Sequence, residues 1–160
     1  MAKRKLAICL AKKDRFSSMT KWYEKGVHFK CHSCGSCCSV SGYVWLSDKD
    51  IQTLADFLNI SKDHFIKKYT RLCMGRVSLK EYTHTGHCIF LKDQKCVVYK
   101  ARPVQCKTFP FWTHIMREKE NFLSQKSTCR GIEDSSCFFT KEEIEKKLLE
   151  YLENFSEKKS

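Results

Sequence analysis

The stretch Phe29-Lys30-Cys31-His32-Ser33-Cys34-Gly35-Ser36-Cys37-Cys38 places four cysteines within eight positions. An apolar core has no use for thiols at that density, and a regular helix or strand would point them in different directions. A turn-rich loop with Gly35 at its centre folds them toward a common point. The simplest occupant of that point is a metal ion or a metal cluster. The remaining sequence must then supply the missing ligands.

The chain has 160 residues and 11 cysteines, a size that predicts one domain stapled by disulfides or by metal. The apolar run Leu6–Ala11 is too short for the hydrophobic region of a secretory signal and is followed at once by Lys12-Lys13. No stretch has the length of a transmembrane span. An odd cysteine count without an export signal points to reduced thiols in the cytoplasm, where clustered cysteines serve as metal ligands. The formal charge of +12 is uneven: +7 over residues 1–30, +8 over 31–132 and −3 over 133–160. Such a charge permits non-specific contact with anionic partners. Bound thiolates are anions themselves, however, and Lys30, Lys95, Arg102, Lys107 and Arg130 all lie within four residues of a cysteine. Charge balance at the site is the preferred reading, since no nucleic-acid module is recognisable.

Outward from the cysteine loop, residues 1–22 read as a basic arm, 23–137 as the cysteine-cluster domain and 138–160 as an amphipathic helix docked on it. The expected class is a small metal-stapled α+β domain with two short helices, one or two β-hairpins and a C-terminal helix. Ser47 and Ser61 are placed to cap the two helices, with Ile51, Leu54, Ala55 and Leu58, then Phe65, Ile66 and Tyr69, facing a core. Residues 77–82 alternate as a half-buried strand. Cys88–Leu91 and Cys96–Tyr99, joined by a four-residue polar loop, predict a hairpin with a thiol at the start of each strand. Ile115-Met116 and Phe122-Leu123 predict a second hairpin. Pro103 suits the first turn of a short helix carrying Cys106, and Phe109-Pro110-Phe111-Trp112 an aromatic cover over the site. Thr140 to Glu143 form a capping box before the apolar stripe Ile144, Leu148, Leu152 and Phe155.

Cys9, Cys73 and Cys137 stand apart from any spaced partner. The other eight, Cys31, Cys34, Cys37, Cys38, Cys88, Cys96, Cys106 and Cys129, are the candidate metal ligands. Eight is the requirement of two four-coordinate sites, either two four-iron clusters or two structural zincs. The C-x2-C-x2-C spacing of Cys31, Cys34 and Cys37 is that of ferredoxin-like runs, whereas zinc sites use separated C-x2-C pairs. Consecutive side chains diverge, so Cys37 joins Cys31 and Cys34 while Cys38 opens a second site. The four remote cysteines then divide one to the first and three to the second, in an assignment that spacing leaves open. His28, His32, His64 and His114 are read as structural or surface residues.

These residues resemble the CxxCxxCC cysteine-cluster family of zinc- or iron-chelating proteins. The matching elements are Phe29-x-Cys31-x-x-Cys34-Gly35-x-Cys37-Cys38, Cys88-x-Phe90-Leu91, Cys96-x-x-Tyr99-x-x-Arg102-Pro103-x-x-Cys106-x-x-Phe109-Pro110-Phe111, and Cys129-x-Gly131-Ile132. Arg130 stands where the family has proline. The resemblance implies metal chelation, with iron–sulfur centres favoured and zinc as the alternative, and it assigns no reaction or partner. One relative, the flagellin lysine N-methylase, looks like an iron–sulfur methyl transferase using S-adenosylmethionine; no glycine-rich nucleotide loop for that cofactor is evident in this sequence. A zinc-stapled binding module and a small protein-modifying enzyme are therefore the alternatives to an iron–sulfur protein.

Overall fold

A computed structural model describes residues 21–156. Cys9 and most of the basic arm lie outside them. The described chain is a small α+β domain in which five α-helices alternate with short antiparallel strand pairs.

Helix α1 (Asp48–Phe57) begins where the sequence places it. Ser47 is the N-cap, its hydroxyl accepting from the Asp50 amide while the Asp50 carboxylate accepts from the Ser47 amide, a reciprocal box that satisfies two otherwise unpaired N–H groups. Helix α2 (Lys62–Tyr69) starts from Ser61 in the same way. Both helices bury their apolar faces, with Leu54, Ala55 and Phe65 fully inaccessible. Burial of a side chain such as Phe65 contributes about 2 kcal/mol. Ile66, expected inside, is instead 37% exposed, since Phe65 and Tyr69 already fill the face turned toward Phe90.

The hairpins depart from the alternation seen in the sequence. After β1 (Val27–His28), the principal ribbon is β2 (Thr70–Cys73) against β3 (Arg76–Leu79), directly after α2. The helix thus stops at Tyr69, and Cys73 sits on a strand. Met74 and Gly75 make the turn with positive φ at both residues. The cysteine hairpin exists but shrinks to β4 (Leu91–Lys92) and β5 (Lys95–Cys96), with Asp93 and Gln94 in left-handed conformations at its turn. Tyr99 belongs to a 3-10 turn, Tyr99–Ala101. The second expected hairpin is absent from the described residues: Phe122 and Leu123 lie on helix α4 (Lys119–Ser124), which buries Phe122. A short polar-flanked apolar pair fits one helical turn as well as a strand, and tertiary packing decided for the helix.

Strand β1 pairs antiparallel with β6 (Phe138–Phe139), which tethers the entrance of the cysteine loop to the base of helix α5 (Lys141–Ser156). Thr140 and Glu143 cap α5 reciprocally. Ile144 is fully buried and Leu148 packs beside it, whereas Leu152 remains 45% exposed and the Phe155 side chain lies outside the described residues.

Two apolar cores result. One gathers Tyr23, Val27, Phe29 and Ile132 with Phe111, Phe122 and Ile144. The other gathers α1 and α2 with Leu79, Phe90 and Val98. Helix α3 (Val104–Thr108), carrying Cys106, follows the 3-10 turn through Arg102 and Pro103. The cysteines lie where these two cores meet.

Candidate metal centre

The cysteine run is held in a non-repetitive path by backbone bonds at both ends. The Phe29 amide donates to the Cys137 carbonyl at 3.1 Å and the Lys30 amide to the Gly131 carbonyl at 3.0 Å, which sets Cys31 beside the Cys129–Ile132 segment. Ser36–Cys38 then form one 3-10 turn after Gly35. Gly35 has φ +73°, and a Cβ there would collide with the Gln94 carbonyl oxygen at the β4–β5 turn. Glycine is therefore required both for its backbone and for the close approach. Finally the Cys88 amide donates to the Cys38 carbonyl at 2.8 Å, so the run and the hairpin are directly joined.

That joint brings thiols together. The Cys38 thiol is pushed up strongly, chiefly by the neighbouring Cys37, Cys88 and Cys96 side chains and then by burial. Cys37 and Cys96 are correspondingly lowered to about 7, mainly by accepting from Cys38. Cys88 is lowered by the same contact. Cys106, carried on α3, is half-buried as a residue, and desolvation of its thiol, with the charge of Cys37, Cys88 and Cys96 nearby, raises it well above the ordinary thiol value. Cys37, Cys38, Cys88, Cys96 and Cys106 all line one cavity of about 270 Å³.

A second gathering surrounds the loop's first half. Cys129 is raised by burial and feels the charges of Cys37, Cys31 and Cys34. Cys34 accepts from or donates to the Ser36 hydroxyl at 3.2 Å and is lowered chiefly by Ser36, with Arg130 adding a smaller electrostatic pull. The Tyr99 hydroxyl donates to the Cys31 sulfur at 3.3 Å. Arg102 lies over the Tyr99 ring, its guanidinium carbon 3.8 Å from the centroid, and donates to the Tyr99 carbonyl at 2.8 Å. Its positive charge reaches Cys37, Cys96 and Cys106. Tyr99 and Arg102 thus span the two gatherings, a link that spacing in the sequence did not disclose.

All eight candidate ligands accordingly sit around one region, with Cys37 adjoining both groups. Cys73 and Cys137 do not line the cavity. His32 pairs with Asp134 at 2.7 Å rather than turning to a thiol. Phe109 and Trp112 form part of the cavity wall, as expected of the aromatic cover, and the Trp112 indole donates to the Gln105 carbonyl at 2.9 Å. Gln105, which the sequence did not mark, is buried and uses both ends of its amide: it accepts from the Trp45 amide and donates to the Tyr43 carbonyl, pinning the extended 43–45 segment over the cavity. Among the described residues, no three His, Cys, Asp or Glu side chains close into a finished single-ion cage. The thiols ring a space instead.

The model of a family described as "CxxCxxCC: Putative zinc- or iron-chelating domain" matches residues 30–130. The chain belongs to the CxxCxxCC family. An uncharacterized protein of Methanocaldococcus jannaschii is 35% identical over 100 residues, covering 61% of this chain and 52% of that protein. A second uncharacterized protein of the same organism is 26% identical over 114 residues, covering 68% of this chain and 38% of that protein. The chain therefore spans about half or less of the length of these relatives. No solved structure matches. The CxxCxxCC match begins at the cysteine run and ends at Arg130, so it contains all eight clustered cysteines and both Tyr99 and Arg102. Among the described residues no helix is long and apolar enough to cross a membrane.

Proposed function

We propose that this CxxCxxCC protein holds two thiolate-ligated centres of iron–sulfur type in a reducing compartment such as the cytoplasm. Cys31, Cys34, Cys37 and Cys129 would hold one, and Cys38, Cys88, Cys96 and Cys106 the other. The observation that carries this reading is the different company that Cys38 and Cys129 keep, with Cys37 adjoining both sets. Cys38 meets Cys88 and Cys96 from the hairpin, while Cys129 is flanked by Cys31, Cys34 and Cys37.

The donor set fits such groups. Thiolates are the ligands of iron–sulfur clusters, and five of them border a cavity of about 270 Å³. A structural zinc ion calls for four ligands closed tightly around one point, so the cavity favours a cluster over a lone zinc. When bound, an iron–sulfur cluster supplies one-electron redox chemistry. The chain's own contribution is positioning, shielding and charge: Phe90, Val98, Phe109 and Trp112 exclude water, and Arg102 offsets the negative charge of Cys37, Cys96 and Cys106. The test is anaerobic purification followed by determination of iron, acid-labile sulfide and zinc per chain. Iron and sulfide in equal amounts are expected; a colourless protein carrying zinc alone would sink the iron–sulfur assignment and leave the zinc-stapled module.

A further inference from the structure

The turn from Gly35 to Cys38 divides two different surroundings. On one side Cys34, Gly35 and Ser36 border an open groove of about 550 Å³ together with His84, His87 and Gln94. On the other, Cys38 shares the smaller cavity with Cys88, Cys96 and Cys106, roofed by Phe109 and Trp112. The dividing turn has little room to shift. Gly35 rests against the Gln94 carbonyl, and the Cys38 carbonyl accepts from the Cys88 amide at 2.8 Å. Accessibility leans the same way: Cys31 and Cys37 of the outer set are exposed, whereas Cys38, Cys88, Cys96 and Cys106 are all half-buried.

Resting on the two-centre reading, we infer that the centres are functionally unequal: the Cys31–Cys34–Cys129 side is an exchangeable centre whose groove admits a small soft donor, such as a low-molecular-weight thiol, whereas the Cys38–Cys88–Cys96–Cys106 centre is retained. Metal would leave a thiolate site when an incoming donor takes the place of a ligand sulfur, which departs as thiolate or takes up a proton; iron leaving a cluster would also free its bridging sulfide, which departs as hydrogen sulfide. No change in oxidation state is required. The rate is therefore governed by access, and access is what the two sides do not share. The outer centre gives up or receives metal, and the inner one holds the two cores together.

The measurement is metal release from the anaerobically isolated chain to an excess of a colorimetric chelator for the iron or zinc it contains. Two kinetic phases separated by roughly tenfold or more are expected, the size by which control of a site's surroundings shifts metal affinity. Cys34→Ser should remove the fast phase and leave the slow one. A single phase releasing the metal of both centres overturns the inference while the two-centre reading stands. Metal sufficient for only one centre overturns both. Because a serine variant can fold poorly, the wild-type chain supplies an independent readout: trapping with N-ethylmaleimide during release, followed by peptide mapping. Early labelling of Cys31, Cys34 and Cys129 supports the assignment; early labelling of Cys88 and Cys96 refutes it.

Discussion

Tyr99 and Arg102 show how single side chains serve a site without ligating it. The tyrosine hydroxyl reaches the Cys31 sulfur, the guanidinium stacks on the same ring, and its charge faces three thiols of the inner cavity. Hydrogen bonds and charges around the ligands tune metal affinity by about 10- to 100-fold. Arg102→Gln should therefore weaken metal binding by about that range, with Arg102→Lys recovering part of it, since lysine keeps the charge but loses the planar stack. A competition titration against a chelator of known affinity reads the difference; equal affinity in wild type and Arg102→Gln would remove the arginine from the site. Removing a thiol has a sharper expectation. Cys38→Ser and Cys106→Ser should each lower metal per chain, while Cys137→Ser, away from the cavity, and Cys9→Ser should leave it unchanged. Equal losses in all four variants would contradict the division of the cysteines. These residues illustrate what was legible: the ligand candidates stood out through density and spacing. Arg102 was singled out by its motif, but its stack on Tyr99 and its reach across both groups depend on a 3-10 turn that local spacing does not reveal.

At the scale of elements, Asp50 joins a helix start to the thiol site. One carboxylate oxygen completes the Ser47 capping box and the other accepts from the Val104 amide at 2.9 Å, at the beginning of the helix that carries Cys106. The residue is only 4% exposed, and its loss removes the acceptor of three donors, the Ser47 amide and hydroxyl and the half-buried Val104 amide. Asp50→Ala should destabilise the chain by about 2–4 kcal/mol, combining a lost cap with an unsatisfied buried amide. Ser47→Ala should cost about 1 kcal/mol. Urea denaturation of the metal-loaded protein distinguishes them, and equal midpoints for the two variants would show that the Val104 bond adds nothing. Gly35→Ala addresses the cysteine turn: with φ +73° and the Gln94 carbonyl in the way, even a methyl group should displace the turn and lower metal content, measured per folded chain. The capping residues and the first two helices were readable because caps and apolar periodicity are local. Strand β3 was readable in part through the 77–82 alternation, but its partner β2 and helix α4 were not, because short apolar segments fit either conformation until a core selects one.

For the whole molecule, the arrangement of two modest cores around the cysteines would make a bound metal part of the fold. The core around Phe29 and the core around Leu54 meet at the cavity, where burial alone leaves a space instead of a packed interface. Ligation would join them, and binding free energy of a metal that the unfolded chain cannot organise appears as folding stability. Chelator-treated protein should therefore melt at a lower temperature and less cooperatively than the loaded form. An unchanged thermal transition after verified metal removal would show that the cores suffice without it. Ile144→Ala tests the separate docking of α5: an expected loss of about 2–5 kcal/mol from truncating a fully buried side chain, with metal stoichiometry intact in the fraction that remains folded.

Sequence alone was enough to mark this chain as a member of a zinc- or iron-chelating family. Eight spaced thiols, a Gly35 turn between them and an adjacent Cys37-Cys38 pair specify metal-binding character and suggest two centres, because ligand type and backbone direction are local properties. Tertiary structure decided which remote cysteine faces which part of the run, that Arg102 and Tyr99 span both groups, and that one side opens on a groove while the other is roofed by aromatic rings. Those are consequences of how two cores pack against each other over long sequence separations, and no local spacing encodes them.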